Sequence, residues 1–108
     1  MVLDSDIATA VAHLRAGALV AMPTETVYGL AGDAMNPLAI RRIYATKGRP
    51  AGHPVIVHLG PDADPNEWGE MTPLAQTLSE HFWPGPLTLI VRRRPHVLDE
   101  VTGGLDTV

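Results

Sequence analysis

The 108-residue chain contains no cysteine, which removes disulfide scaffolds, thiolate zinc sites and cysteine nucleophiles from consideration. No apolar run reaches the length of a membrane span, and the first residues lack the basic-then-apolar layout of a signal peptide. The expected location is therefore cytoplasmic, with no membrane partner. Charge is sparse, at 19% of residues against 45% apolar, the balance of a soluble globular chain. The net charge of -4 tells against a protein whose main task is gripping nucleic acid, since such proteins are more often basic. Neither a Gly-x4-Gly-Lys-Ser/Thr phosphate loop nor a Gly-x-Gly-x-x-Gly fingerprint occurs. Ser5 and Ser79 do not sit in a nucleophile elbow, so a Ser-His-Asp hydrolase is disfavoured.

The elements that are present read as one domain at most, large enough to bury a core without metals or disulfides. Asp4-Ser5 can cap a first helix with apolar positions Ile7, Val11 and Leu14, ended by Gly17. Ala18 to Met22 reads as a short strand buried on both faces. Asn36-Pro37 opens a second helix whose buried side is Leu38, Ile40, Ile43 and Tyr44, ending by Lys47-Gly48. Val55 to Leu59 is a β-branched strand candidate, and the polar stretch Pro61 to Gly69 a surface loop. Thr72-Pro73 repeats the cap-plus-proline signature before a third helix through Leu74, Leu78 and Phe82. Trp83-Pro84-Gly85-Pro86 is then a rigid turn into a strand from Leu87 to Val91, with Phe82 and Trp83 expected to anchor the third helix to the sheet. Helices alternating with strands predict an α/β layer with at least partly parallel strands. Gly103-Gly104 reads as a turn entering a new strand over Leu105 to Val108, an ending that suggests a fragment or a sheet completed by another segment.

Two stretches carry candidate chemistry. Pro23-Thr24-Glu25-Thr26-Val27-Tyr28 interrupts an apolar run with hydroxyls and a carboxylate, groups that are costly to bury without partners. The segment is open to two readings: a turn in which threonine hydroxyls satisfy the backbone, or a set of hydroxyls holding a ligand at the edge of a sheet. Tyr28 could form a wall of such a pocket, but its apolar position reads rather as core. In the second stretch, Lys47 and Arg49 flank Gly48 beside Pro50. A cation at a helix C-terminus complements the dipole, which accounts for Lys47. Arg49, held between Gly48 and Pro50 with a planar five-donor head, favours anion binding. Arg41 and Arg42 extend this basic cluster, and Arg92-Arg93-Arg94 forms another. Of the histidines, His13, His81 and His96 have no partner pattern, whereas His53 and His58 adjoin the cationic loop and the second strand. Their spacing of five does not match a helical zinc pair, and hydrogen-bonding roles suit them better.

Taken in series, Pro23-Thr24-Glu25-Thr26-Val27-Tyr28-Gly29-Leu30, Lys47-Gly48-Arg49-Pro50 with His53-Pro54, and Phe82-Trp83-Pro84-Gly85-Pro86-Leu87-Thr88-Leu89 closely resemble the YrdC-like family of threonylcarbamoyl-AMP synthases. The resemblance implies a twisted open sheet with flanking helices, incomplete in this chain, with residues 1–108 forming the N-terminal portion of the catalytic domain. It implies a nucleotidyl transfer in which L-threonine, bicarbonate and ATP give threonylcarbamoyl-AMP and pyrophosphate, for modification of tRNA beside the anticodon. Carried over by position, Lys47 and Arg49 are the catalytic residues and face the ATP phosphates. His53 joins them at a nucleotide-contacting position where the family often has Asn. Thr26 and His58 hold the threonine. Magnesium accompanies ATP without protein ligands, and no cofactor is tightly bound. Such chemistry asks for positioning and charge neutralisation more than for a protein nucleophile.

The family's Ser-x-Asn and Gly-Val-Arg motifs are absent from these residues, which puts the second half of the site in doubt. Two other readings remain. A double-stranded RNA or tRNA-binding module of the same fold is kept open by Arg92-Arg93-Arg94. A carbamoyl-transfer module of the hydrogenase-maturation type is disfavoured by the missing zinc-finger cysteines. The resemblance also leaves room for tRNA or proteins of that pathway as partners, and for self-association through an exposed sheet edge. The isolated 108-residue polypeptide is expected to show little or no synthase turnover. Threonine- and bicarbonate-dependent release of pyrophosphate at a full-length enzyme's rate would contradict that expectation.

Overall fold

The computed structural model describes residues 4–50 and 52–108, with the side chains of Asp4 and Ser5 outside that description. The expected Asp4-Ser5 cap therefore lies outside the described residues. The chain is α/β and falls into two compact units, Met1–Ala51 and Gly52–Val108.

In the first unit, helix α1 (Asp4–Arg15) is followed by strands β1 (Val20–Met22) and β2 (Gly29–Ala31) and by helix α2 (Pro37–Lys47). Helix α1 stops where the sequence predicts. The Gly17 N–H donates to Leu14 O at 3.0 Å and the Ala18 N–H to His13 O at 2.9 Å, closing the last turn. β1 and β2 form an antiparallel hairpin in the register Val20↔Ala31, Ala21↔Leu30, Met22↔Gly29. Helix α2 begins where the Asn36 side-chain oxygen accepts from Leu38 N–H at 3.0 Å and Ala39 N–H at 3.4 Å, with Pro37 in the first helical position. Its inner face supplies the core of the unit, since Ala39, Ile40, Ile43 and Tyr44 are all buried. Burial pushes the Tyr44 phenol above its ordinary pKa. Arg42 reaches back from α2 and donates to the Gly17 carbonyl at 2.8 Å, tying the end of α1 to α2.

In the second unit a single 3-10 turn (Pro65–Glu67) precedes helix α3 (Pro73–Phe82) and a one-turn helix α4 (Asp99–Thr102). Thr72 caps α3 by accepting from Ala75 N–H at 3.1 Å. Residues 91–94 run between two extended segments: Arg92 O accepts from Glu70 N–H, Arg94 N–H donates to Trp68 O, Arg93 N–H donates to Asp106 O, and Val91 exchanges two bonds with Val108. Ala75, Ser79, Val97, Val101 and Thr102 form the core. The Ser79 hydroxyl donates to Gln76 O at 2.8 Å, so its burial leaves no unmet polar atom.

Several expectations are corrected. β1 is shorter than Ala18 to Met22, and Ala21 and Met22 are exposed rather than buried on both faces. The strand pairings among the described residues are antiparallel, not parallel. Val55 to Leu59 and Leu87 to Val91 have alternate residues half-buried, but neither segment is a strand. Ile7, Val11, Leu38, Leu74 and Phe82 are exposed. Helical spacing identified their faces, but among the described residues nothing covers those faces fully. Phe82 therefore does not anchor α3. Trp83 is half-buried, and its indole N–H donates to Leu87 O at 2.7 Å across the proline turn.

The side-chain oxygen of Asn36 is what starts α2. Asn36→Ala should lower stability by about 1 kcal/mol in a urea denaturation series, and Asn36→Asp, which keeps the acceptor, should leave the midpoint nearly unchanged.

Candidate functional site

The threonine-rich segment is the loop of the β1–β2 hairpin, residues 23–28. Thr24 closes it from within. Its Oγ1 donates to Val27 O and accepts from Thr26 N–H at 3.3 Å, while its methyl group packs toward Gly29 at the start of β2. A hydroxyl bonded to its own neighbouring backbone is the behaviour of threonine in a turn. The turn reading of the segment holds at Thr24. Thr24 is the turn residue, and Thr26 is exposed at the tip with no hydrogen bond from its hydroxyl to the described residues. Tyr28 is 65% exposed, so its expected place in the core is corrected; its neighbour Val27 is 72% exposed.

Lys47 and Arg49 are brought together by the end of α2. Gly48 takes a left-handed conformation with φ 65°, which a residue bearing a Cβ adopts at a cost. Gly48 N–H donates to Ala45 O at 3.3 Å and Arg49 N–H donates to Tyr44 O at 3.0 Å, the two bonds of a Schellman closure. Lys47 is the last helical residue and Arg49 the second residue beyond it, and both side chains are exposed. Neither makes an ion pair with a described carboxylate. Arg42, the nearby cation committed to the Gly17 carbonyl, serves packing instead.

His53 and His58 lie in the second unit on one stretch outside the helices and strands. His53 is exposed between Gly52 and Pro54. His58 shares the exposed face with Ile56, while Val55, Val57 and Leu59 are half-buried on the other. This alternation follows from the period of two along an extended chain, and it presents His58 rather than packing it.

The second basic cluster is largely structural. Arg93 pairs with Asp99 at 2.6 Å and donates to Thr102 Oγ1 at 2.8 Å. Arg94 donates to Asn66 O at 2.8 Å and lies 3.9 Å from Glu70. Arg92 alone of the three has no side-chain partner among the described residues. A separate open groove of about 460 Å³ is lined by Leu74, Leu78, Leu89 and Ile90, with Glu70 and Arg92 also on its wall. Of the candidate chemistry it holds only Arg92, and none of Thr26, Lys47, Arg49, His53 or His58 lines it. Sequence reasoning also missed α4, although Asp99-Glu100 ahead of Gly103 is an acidic-start, glycine-stop signature of a short helix. No three His, Asp or Glu side chains among the described residues converge to hold a metal ion, and no described helix is long and apolar enough to cross a membrane.

The Sua5/YciO/YrdC sequence family, described as "Telomere recombination", matches residues 12–108. A threonylcarbamoyl-AMP synthase of Bacillus subtilis is 47% identical over 97% of this chain and 31% of its own length. A threonylcarbamoyl-AMP synthase of Pyrococcus abyssi is 45% identical over 92% of this chain and 29% of its own length. The crystal structure of P. abyssi Sua5 complexed with L-threonine superposes with a TM-score of 0.91 at 42% identity, covering 100% of this chain and 32% of that one. The chain thus spans about a third of the length of these relatives.

Thr24 should matter for the loop even without touching a ligand. Thr24→Val removes the hydroxyl at similar volume and should speed amide exchange at Thr26 by about tenfold or more. Thr24→Ser should restore most of the protection. Equal exchange in both variants would show that the hydroxyl does not hold the turn.

Proposed function

Because the chain belongs to the Sua5/YciO/YrdC family, we propose that it supplies part of a cytoplasmic threonylcarbamoyl-AMP synthase serving tRNA modification. In that reaction the threonine amine and bicarbonate condense to a carbamate with loss of water. A carbamate oxygen then attacks the α-phosphorus of ATP, the bond to the β-phosphate oxygen breaks, and pyrophosphate leaves with the electron pair. The observation that carries the reading is the α2 terminus, where a Schellman closure holds Lys47 and Arg49 on either side of Gly48 with neither cation paired to a described carboxylate.

The chemistry of these side chains suits the roles. A polyphosphate going through nucleotidyl transfer gains charge on its leaving group, and a lysine point charge beside a planar guanidinium can neutralise it. Arg49 can meet two phosphate oxygens with a rigid planar fork, whereas lysine acts as a compact point charge. Thr26, with its hydroxyl turned to no described partner, fits a polar ligand. His58, on an exposed face, supplies a ring nitrogen that can donate or accept. His53 is proposed to contact the nucleotide. P. abyssi Sua5 forms a complex with L-threonine, and by similarity we assign the same amino acid to Thr26 and His58. Magnesium is assigned to the phosphates of ATP itself, and no step is routed through it. For the RNA-binding reading the cluster leaves Arg92 exposed, while Arg93 and Arg94 are engaged within their own unit.

Binding to the 108-residue chain separates the two halves of the proposal. By titration calorimetry, Lys47→Ala and Arg49→Ala should each weaken MgATP binding by about tenfold or more, in keeping with the loss of a charge-assisted phosphate contact. Thr26→Val should weaken L-threonine and leave MgATP unchanged. MgATP affinity equal in the unsubstituted chain and both cation variants would overturn the assignment.

A further inference from the structure

Helix α4 ends at Gly103, whose φ of 64° is left-handed. A side-chain carbon there would meet a second obstacle. An ideal Cβ on Gly103 would stand 2.4 Å from the Gly52 carbonyl oxygen, 2.8 Å from its carbon and 3.2 Å from the Pro54 nitrogen. These are backbone atoms and cannot swing aside as a flexible side chain does. The same stretch is held one residue later, where Val55 N–H donates to Val101 O at 2.9 Å. The floor beneath it is firm: Val101 and Thr102 are fully buried, and Arg93 grips both Asp99 and Thr102. The adjoining Gly104 also has a positive φ of 83°, yet a Cβ there would meet open space.

We propose that Gly103 is a positioning residue for His53: its bare α-carbon is the seat on which the Gly52–Pro54 backbone lies. Arg93 fixes α4, α4 presents Gly103, and Gly103 sets the path of the loop that carries His53. This inference rests on the reading of His53 as a nucleotide contact, and it extends that reading to a residue that touches no ligand. It also gives Arg93 a part in the site without any contact to nucleic acid.

The adjacent glycines supply the test. Gly103→Ala and Gly104→Ala both place alanine at a left-handed position, so they share that conformational cost; only the first adds overlap with the loop. In the isotope-labelled 108-residue chain, Gly103→Ala should shift the amide signals of His53 and Val55 and speed exchange at Val55 by about tenfold or more, while Gly104→Ala stays within about twofold of the unsubstituted chain. MgATP affinity should fall by about fivefold or more in Gly103→Ala alone. Equal exchange in the two variants would overturn the seat. A displaced loop with unchanged MgATP affinity would overturn its link to the nucleotide. Should Gly103→Ala fail to fold, nuclear Overhauser contacts between the Gly103 α-protons and the Pro54 δ-protons in the unsubstituted chain decide the matter, and their absence sinks the proposal. If the unsubstituted chain binds no MgATP, the functional reading fails by itself, while exchange and Overhauser contacts still judge the seat.

Discussion

The backbone closure of α2 ties the core of the first unit to its candidate chemistry. Tyr44 contributes to both: its ring is buried with Ile40 and Ile43, while its carbonyl accepts the Arg49 N–H. An orphan carbonyl at a helix end must find a donor, and here the donor is the residue whose guanidinium is assigned to phosphate. Gly48 makes the geometry possible by adopting the left-handed conformation. Packing of the α2 face therefore fixes the start of the cationic loop, and the position of the two charges follows from core residues that never meet a ligand.

The other candidate residues are delivered in a similar way, by local closures rather than by long regular elements. Thr24 closes the hairpin loop that exposes Thr26. The contact of Gly103 with Gly52 and Pro54 shapes the approach to His53. Loops held by few bonds open more readily than helices and strands, so a single hydroxyl or a missing methyl group can decide the geometry of a site. The second arginine cluster follows the opposite course. Its charges look available in the sequence, but Arg93 and Arg94 are occupied in holding α4 and the 3-10 turn.

Much of this was legible in the residues. Asn36-Pro37 and Thr72-Pro73 announced two helix starts, and Gly17 and Gly48 two stops, because these residues act through short-range backbone bonds. The antiparallel hairpin was hidden, since strands of three residues carry too little alternation to reveal a partner. Exposure of Tyr28, Leu38, Leu74 and Phe82 was equally invisible, for periodicity names the face that is apolar and not what covers it. The fates of the arginines depended on contacts such as that between Arg94 and Asn66, 28 positions apart. The three motifs, read in order, pointed to the family that the relatives bear out. The roles of Thr26, Lys47, Arg49, His53 and His58 remain assignments by resemblance and side-chain chemistry.

Lys47 is the chain's single lysine, which permits one direct test of the central claim that it faces the phosphates of ATP. Acylation of its amine can be followed by peptide mass spectrometry with and without saturating MgATP, using the α-amino group as internal reference. MgATP should slow modification of Lys47 by about fivefold or more while the α-amino group reacts as before, since a bound phosphate both shields the amine and favours its unreactive charged form. Modification of Lys47 at the same rate in both conditions, with nucleotide shown to be bound, would contradict it.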